Sequence, residues 1–168
     1  TIGRRQRQMC IRDRKKIFYW SPFFSEIATI KAVLNSAISI SKFSKNNIKP
    51  TLINVIGEWD NYNKIILENN IDVIDLNLKK NFKKKKISLF FFSRYYQIKI
   101  FILAFLPLIS LLRKNKPDIF ILHLVTSLPL FLNYFFNFKS KIVLRISGLP
   151  RLNIFRKLFW KITIKKVD

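Results

Sequence analysis

The segment KIVLRISGLP, residues 141–150, begins as an apolar, β-branched run and ends in Ser147, Gly148 and Pro150. A short apolar run of this kind predicts a buried strand, and glycine and proline predict the turn that closes it. Arg145 and Ser147 therefore lie at the tip of a predicted strand. Polar side chains at that position are the first candidates for a ligand-binding role.

Four more apolar runs precede this one, and segments of helical length or periodicity separate them. The runs are continuously apolar, which indicates strands that are covered on both faces. The resulting order βαβαβαβαβα predicts an α/β fold with a doubly wound, mostly parallel sheet. The predicted strands are residues 16–20, 51–56, 72–76, 119–124 and 141–146, and the predicted helices are residues 23–46, 61–69, 87–115, 127–136 and 153–165.

The third helical segment is the most apolar part of the chain. Pro107 lies inside it and predicts a kink or a break. Its uncharged stretch, residues 100–112, would reach only about 20 Å as a helix, whereas a bilayer core is roughly 30 Å thick. A buried or interfacial helix is therefore predicted in place of a membrane span.

Composition sets limits on the class of protein. The chain has 168 residues and a net charge of +23, part of which reflects residue types with A/T-rich codons. Residues 1–14 are arginine-rich, and MCIRDR within them resembles a translated sequencing adapter, so we interpret this stretch as artefactual or disordered. The remaining residues, 15–168, contain no cysteine, which excludes disulfides, a thiol nucleophile and a cysteine-based metal site there.

No cofactor or metal is predicted. The turn after the first strand has no glycine, unlike a dinucleotide-binding loop, and the P-loop pattern is absent. His123 is the one histidine of the chain, and a single histidine cannot form a metal site. It is either a structural residue or, at the end of the fourth predicted strand, a neutral imidazole that donates to and accepts from a polar ligand.

Ligands of parallel sheets bind outside the carboxyl ends of the strands. Glu58, Trp59 and Asp60 follow the second strand, where carboxylates suit sugar hydroxyls and an indole suits a sugar ring. Alternatively, Asp60 caps a helix and Trp59 packs in the core. The predicted substrate-binding residues at this edge are Ser21, Phe24, Glu26, Glu58, Trp59, Asp60, Thr126, Ser127, Arg145, Ser147 and Gly148.

A lysine cluster surrounds Phe82, with six cations in eight residues. It is either a solvated loop or a contact with an anionic membrane, worth roughly 1 kcal/mol for each lysine near the surface. Nucleic acid would use similar charge, but no nucleic-acid-binding motif accompanies it, and no nucleic-acid partner is predicted. The predicted membrane-contact residues are Lys79, Lys80, Lys83, Lys84, Lys85 and Lys86.

Several segments resemble the N-terminal domain of glycosyltransferase family 4, whose members have the GT-B fold of two Rossmann-like domains facing a cleft. The most specific are KPDIFILHLVTSLPL, residues 116–130, and KIVLRISGLPRLN, residues 141–153. The segment from residue 16 to 42 resembles the first strand, loop and helix of that family. INVIGEWDNY, residues 53–62, resembles the second strand and its loop, especially in bacterial surface-polysaccharide members.

The resemblance implies that residues 15–168 form the acceptor-side domain of a retaining glycosyltransferase whose C-terminal donor domain is absent, so that this piece is inactive by itself. Asp118 and His123 match the family's spacing, which implies that His123 is catalytic and contacts the donor sugar or its phosphate. Gly148 matches a family glycine, whereas Ser147 stands where a histidine is common. The first loop lacks the family's glycine pair, which removes the usual support for phosphate contact there.

The implied donor is a nucleotide-diphosphate sugar, and the implied acceptor is lipid-linked or a growing surface glycan. The implied location is the cytoplasm, peripherally at the inner face of the plasma membrane. Two other interpretations remain open: a non-catalytic basic module that binds membrane or nucleic acid, and part of a GT-B sugar-nucleotide epimerase.

Overall fold

The computed structural model describes residues 15–23, 28–44, 47–82, 90–124, 126–146 and 154–164. Some of the predicted site residues fall outside these ranges and stay predictions. They are Phe24, Glu26, Ser147, Gly148, Lys83, Lys84, Lys85 and Lys86.

The five predicted strands all form, and they make one parallel sheet in the order β3-β2-β1-β4-β5. This order is that of a Rossmann-like doubly wound sheet, so the predicted fold class is confirmed. The strands are β1 Lys15–Trp20, β2 Ile48–Asn54, β3 Asp72–Asp75, β4 Ile119–Leu122 and β5 Lys141–Leu144.

Helices cover both faces of the sheet, as the continuously apolar strands require. Tyr19 of the central strand packs with the first two helices, and its neighbour Trp20 packs with the later helices on the opposite face. The helices are α1 Ala28–Phe43, α2 Asn63–Glu68, α3 Phe90–Asn115, α4 Ser127–Phe136 and α5 Ile154–Thr163. Short 3₁₀ turns span Asp60–Tyr62 and Lys79–Asn81.

Several predicted strand boundaries are wrong. Strands β4 and β5 end at Leu122 and Leu144, two residues before the predicted ends, and β2 differs at both ends. Strand β2 begins at Ile48, before Pro50, and ends at Asn54 and not at residue 56. It ends early because the Glu58 side chain accepts the backbone N–H groups of Val55 and Ile56.

Of the predicted kink or break at Pro107, the break does not occur. Helix α3 continues through this residue to Asn115. Its inner face, which includes Ile100, Ala104 and Leu108, is buried against the sheet. Burial of this face compensates for the hydrogen bond that a proline cannot donate.

Candidate functional site

The crevice between β1 and β4 is the topological switch point of the sheet, because the chain runs from β1 toward β3 on one side and from β4 toward β5 on the other. Ligands of doubly wound sheets bind at this point, outside the carboxyl ends of the strands. Ser21 directly follows β1, and His123 directly follows β4. The two segments are joined here, since the His123 backbone N–H donates to the Trp20 carbonyl at 3.0 Å.

Ser21 and His123 are both buried, with exposed fractions of 1% and 7%. Within the part of the chain that the structure describes, Ser21 Oγ and His123 Nε2 have no hydrogen-bond partner. Leaving a buried polar atom unpaired costs about 1–3 kcal/mol. A ligand that offered a hydrogen bond to each atom would satisfy both, and this makes the pair the strongest indication of a binding site among the residues that the structure describes.

The environment keeps His123 neutral. Its ring stacks on that of Tyr19, with centroids 6.1 Å apart and an angle of 22° between the planes. Burial, together with the charge of Arg145, lowers the pKa of His123 to about 4. A neutral imidazole offers one donor and one acceptor to a ligand and no positive charge.

Arg145 supplies the positive charge next to this histidine. It follows β5, and its backbone N–H donates to the Leu122 carbonyl at 2.9 Å, which fixes it beside the end of β4. Its side chain is exposed. The switch-point cluster, defined as Ser21, His123 and Arg145, therefore combines two buried hydrogen-bonding groups with one accessible cation.

The predicted residues Thr126 and Ser127 lie at the start of α4, a few residues after His123. Thr126 is the N-terminal capping residue, but its side chain makes no capping hydrogen bond. Ser127 is exposed. Both hydroxyls are thus placed at the same edge of the sheet as the switch-point cluster.

Tyr19 was missed by the sequence analysis, which treated it as an ordinary strand residue. Its hydroxyl lies 3.0 Å from Ser36 Oγ, and burial raises its pKa. Its ring forms one wall around His123. No pattern in the sequence indicates this role, because it depends on the pairing of β1 with β4.

Glu58 and Trp59 have a different environment from the one predicted. Both are buried, and the Glu58 carboxylate accepts from the backbone N–H groups of Val55 and Ile56, at 3.0 and 2.7 Å. Burial raises the pKa of Glu58 to about 7, although these hydrogen bonds act in the opposite direction. The carboxylate therefore stabilises the loop that contains it, through hydrogen bonds to that loop's backbone.

Trp59 does not present a face to a sugar. Its indole is fully buried, and Nε1 donates to the Ile53 carbonyl at 3.2 Å. Phe23 and Tyr62 contact the ring edge to face, with centroids 5.4 and 6.2 Å away. The structure supports the alternative interpretation, in which Trp59 packs in the core.

Asp60 belongs to a hydrogen-bonded network that the sequence analysis did not foresee. The Asn54 amide donates to Asp60 at 3.3 Å and to Asp75 at 3.1 Å, and Lys79 forms an ion pair with Asp60. We call Asn54, Glu58, Trp59, Asp60, Asp75 and Lys79 together the β2-loop cluster. Gly57 is at its centre with φ +86°, and a Cβ there would lie 2.9 Å from both Asp60 Oδ2 and Lys79 Cδ.

The contact between Lys79 and Asp60 bears on one further prediction. Lys79, predicted as a membrane contact, is exposed but ion-paired with Asp60, whereas Lys80 is exposed beside it. Among the residues that the structure describes, no group of three or more histidine, cysteine or acidic side chains could hold a metal ion.

Comparison with known structures finds similarity in fold. The UDP-GlcNAc 2-epimerase from Neisseria meningitidis bound to UDP-GlcNAc matches with a TM-score of 0.50 and 14% identity, over 90% of this chain and 36% of that chain. The calicheamicin glycosyltransferase CalG4 matches with a TM-score of 0.48 and 11% identity, over 88% of this chain and 36% of that chain. No protein-family model and no curated sequence matches the chain.

The chain therefore has the Rossmann-like fold found in one part of GT-B proteins. It spans about a third of the length of each of these two proteins.

Proposed function

We propose that this chain belongs to a nucleotide-sugar enzyme, a glycosyltransferase that moves a sugar from a nucleotide-diphosphate donor to a lipid-linked or polysaccharide acceptor. The observation that carries the proposal is the pair of buried atoms at the switch point, Ser21 Oγ and His123 Nε2, which have no hydrogen-bond partner among the described residues. The charge of Arg145 acts on the same histidine. The chain's sequence resemblance to glycosyltransferase family 4, in members that make bacterial surface polysaccharides, supports the same assignment.

The chemistry requires one bond to break and one to form. The bond between the anomeric carbon and the donor diphosphate breaks, and the electron pair leaves with the diphosphate. The acceptor hydroxyl oxygen then bonds to the anomeric carbon, and its proton passes to the departing diphosphate. We assign Arg145 to the negative charge of that leaving group, because oriented positive charge where charge develops lowers the barrier.

His123 and Ser21 would position the sugar. A histidine whose pKa is about 4 is neutral at pH 7, so it orients a hydroxyl by hydrogen bonds and does not neutralise a phosphate. Retention of configuration would depend on such positioning and on stabilising the leaving group more than on a strong base. We therefore propose a retaining enzyme with His123 as its catalytic contact to the sugar.

We also propose a cytoplasmic location at the inner face of the plasma membrane. A lipid-linked acceptor would be held there, and lysines from Lys79 to Lys86 would contact anionic headgroups. Lys79 contributes less than its neighbours to this contact, because Asp60 already neutralises it.

The alternative is a sugar-nucleotide epimerase, which the fold similarity to the UDP-GlcNAc 2-epimerase favours. An epimerase would convert its nucleotide sugar without any acceptor. A glycosyltransferase would release nucleoside diphosphate at a rate that depends on the acceptor.

The test uses the full-length product of the gene, with nucleoside diphosphate sugars supplied with and without lipid-linked acceptors. We expect acceptor-dependent transfer, and a loss of about a hundredfold in kcat for His123→Ala, because one positioned hydrogen bond in a catalytic site contributes about that much. Transfer that is unchanged in His123→Ala would contradict the assigned role, and conversion without acceptor would favour the epimerase.

A further inference from the structure

Helix α3 presents an apolar stripe to the surface. Tyr95, Ile98, Ile102 and Leu106 recur at helical spacing, and each is between 59% and 72% exposed. The helix from Arg94 to Asn115 is long and apolar enough to cross a bilayer by length and composition. However, its other face is buried on the sheet, so it is a covering helix of the domain with one open side.

Aromatic residues extend this stripe toward α4. Phe101 and Phe105 of α3 contact Phe131, with ring centroids 5.7 and 6.3 Å apart. Phe131 in turn contacts Phe135, which is 61% exposed, at 4.4 Å. The exposed side chains of both helices thus form one continuous apolar surface, the α3–α4 face, defined by Tyr95, Ile98, Ile102, Leu106 and Phe135.

The charge around this face has one sign. Residues 76–167 include all of α3, α4 and α5, and they contain twenty lysines and arginines and a single acidic residue, Asp118. A biased codon usage raises the number of lysines throughout, but it does not explain why the acidic residues concentrate in the rest of the chain. The charged residues of this segment, which includes the helical layer on this side of the sheet, are therefore almost all cations.

Specific contacts place cations next to the apolar surface. Lys99 Nζ lies 5.1 Å from the centroid of the Phe82 ring and donates to the Asn81 carbonyl at 2.7 Å, which ties these two residues of the lysine cluster to α3. At the other end of the helix, the Arg113 guanidinium lies 5.2 Å from the centroid of Phe136. Positive charge borders the apolar stripe at both ends.

We propose that the α3–α4 face docks on an anionic lipid bilayer, with Ile98, Ile102 and Leu106 entering the headgroup region and the bordering cations contacting anionic headgroups. Apolar area and basic charge together determine how strongly such a helix binds in the plane of an interface. This inference rests on the proposed function and deepens its membrane part, by adding a helix face to the contact that the lysine cluster would make.

Charge argues against a second copy of the chain as the occupant. Two copies meeting through this face would bring together chains that each carry +23, and like charges oppose association. An anionic bilayer satisfies both the apolar and the cationic part of the surface.

The test is flotation of the 168-residue chain with vesicles of phosphatidylcholine, with or without phosphatidylglycerol. We expect binding to the anionic vesicles, and a loss of about tenfold or more in the triple variant I98S/I102S/L106S, because the removed apolar side chains contribute to binding in proportion to their buried area. The matched control is F43S/I65S/L67S, which removes three exposed apolar residues from helices of the opposite face and should bind as the wild type does.

A second measurement reports insertion directly. The chain has three tryptophans of its own, so quenching is compared with that of the wild type. Ile102→Trp should add fluorescence that is quenched by anionic vesicles whose phosphatidylcholine has brominated acyl chains, and Leu67→Trp should add fluorescence that is not. Circular dichroism verifies that each variant is folded.

The proposal is overturned if the wild type ignores anionic vesicles, if both triple variants lose binding equally, or if the tryptophan at position 102 is not quenched. A dimer in sedimentation that I98S/I102S/L106S abolishes would also overturn it, in favour of self-association. Transfer to a water-soluble acceptor, measured without vesicles, reports the proposed enzyme activity separately, so failure here and failure of that activity are distinguishable.

Discussion

The switch-point cluster and the β2-loop cluster lie at the same edge of the sheet and differ in how their polar groups are satisfied. In the β2-loop cluster, Glu58 accepts backbone N–H groups, and Asn54 links Asp60 to Asp75. In the switch-point cluster, Ser21 Oγ and His123 Nε2 have no such partners among the described residues. Position at the ligand edge is therefore not sufficient to identify a site, and hydrogen-bond satisfaction separates a structural loop from a binding position.

The largest effect that tests this contrast is expected at Trp59. Because the indole is fully buried and hydrogen-bonded to Ile53, Trp59→Ala should lower the free energy of unfolding by about 3–5 kcal/mol. Urea denaturation measures this loss, and Trp59→Phe, which keeps an aromatic ring, serves as the milder control. If Trp59→Ala were as stable as the wild type and lost only sugar binding, the predicted role of Trp59 as a sugar contact would be correct after all.

The pH dependence of stability should have opposite signs in the two clusters, and Glu58 is the first half of that comparison. Its pKa is about 7 in the folded chain, above the ordinary 4.5. The protonated carboxyl therefore contributes stability that is complete below pH 4.5 and is lost as the pH rises through 7. Relative to Glu58→Gln, the wild type should lose up to about 3 kcal/mol across this range, measured by urea denaturation at each pH.

An identical pH profile for the wild type and Glu58→Gln would contradict this account of Glu58. Glu58→Ala is a separate control, because it removes the acceptor for Val55 and Ile56 and should be destabilising at every pH by about 1–3 kcal/mol.

His123 is the second half of the comparison. Its pKa is about 4 in the folded chain, below the ordinary 6.5, so the neutral form contributes stability that is present above pH 6.5 and is lost as the pH falls through 4. Relative to His123→Gln, the wild type should lose up to about 3 kcal/mol over that fall. Because it is the one histidine of the chain, its imidazole NMR signals report the pKa directly, and a value near 6.5 would contradict its burial beside Arg145.

The smallest effect is expected at Ser21. The Ser21 hydroxyl is buried and has no hydrogen-bond partner among the described residues, so its removal breaks no hydrogen bond there and relieves its desolvation. Ser21→Ala should therefore leave the free energy of unfolding unchanged or raise it by about 1 kcal/mol. The matched control is Ser36→Ala, whose hydroxyl lies 3.0 Å from the Tyr19 hydroxyl and whose loss should cost about 1 kcal/mol. Equal destabilisation by both substitutions would show that Ser21 is satisfied within the protein.

The architecture could be predicted from the sequence because continuous apolar runs such as residues 119–122 report burial on both faces. The end of β2 could not, since it depends on a side chain, Glu58, that takes over two backbone donors. The sequence also predicted that His123 lies at the end of a strand. It placed Ser21 and Arg145 at the same edge of the sheet, where the carboxyl ends of the strands lie.

The difference in hydrogen bonding between the two clusters could not be predicted from the sequence. Glu58, Trp59 and Asp60 have the composition of a sugar site, and nothing in that composition tells whether the indole faces solvent or the core. The stacking of Tyr19 on His123 depends on the pairing of β1 with β4, which joins residues about a hundred positions apart. Such contacts can be identified only once the register of the paired strands is known.

The most direct test of the central claim follows two NMR signals in the full-length product of the gene, the His123 imidazole and the Trp59 indole N–H, while a panel of nucleoside diphosphate sugars is added. The switch-point site predicts that at least one of these sugars shifts the His123 signals and leaves the Trp59 signal in place. A shift of Trp59 without a shift of His123, or no effect of any sugar on His123, would contradict it.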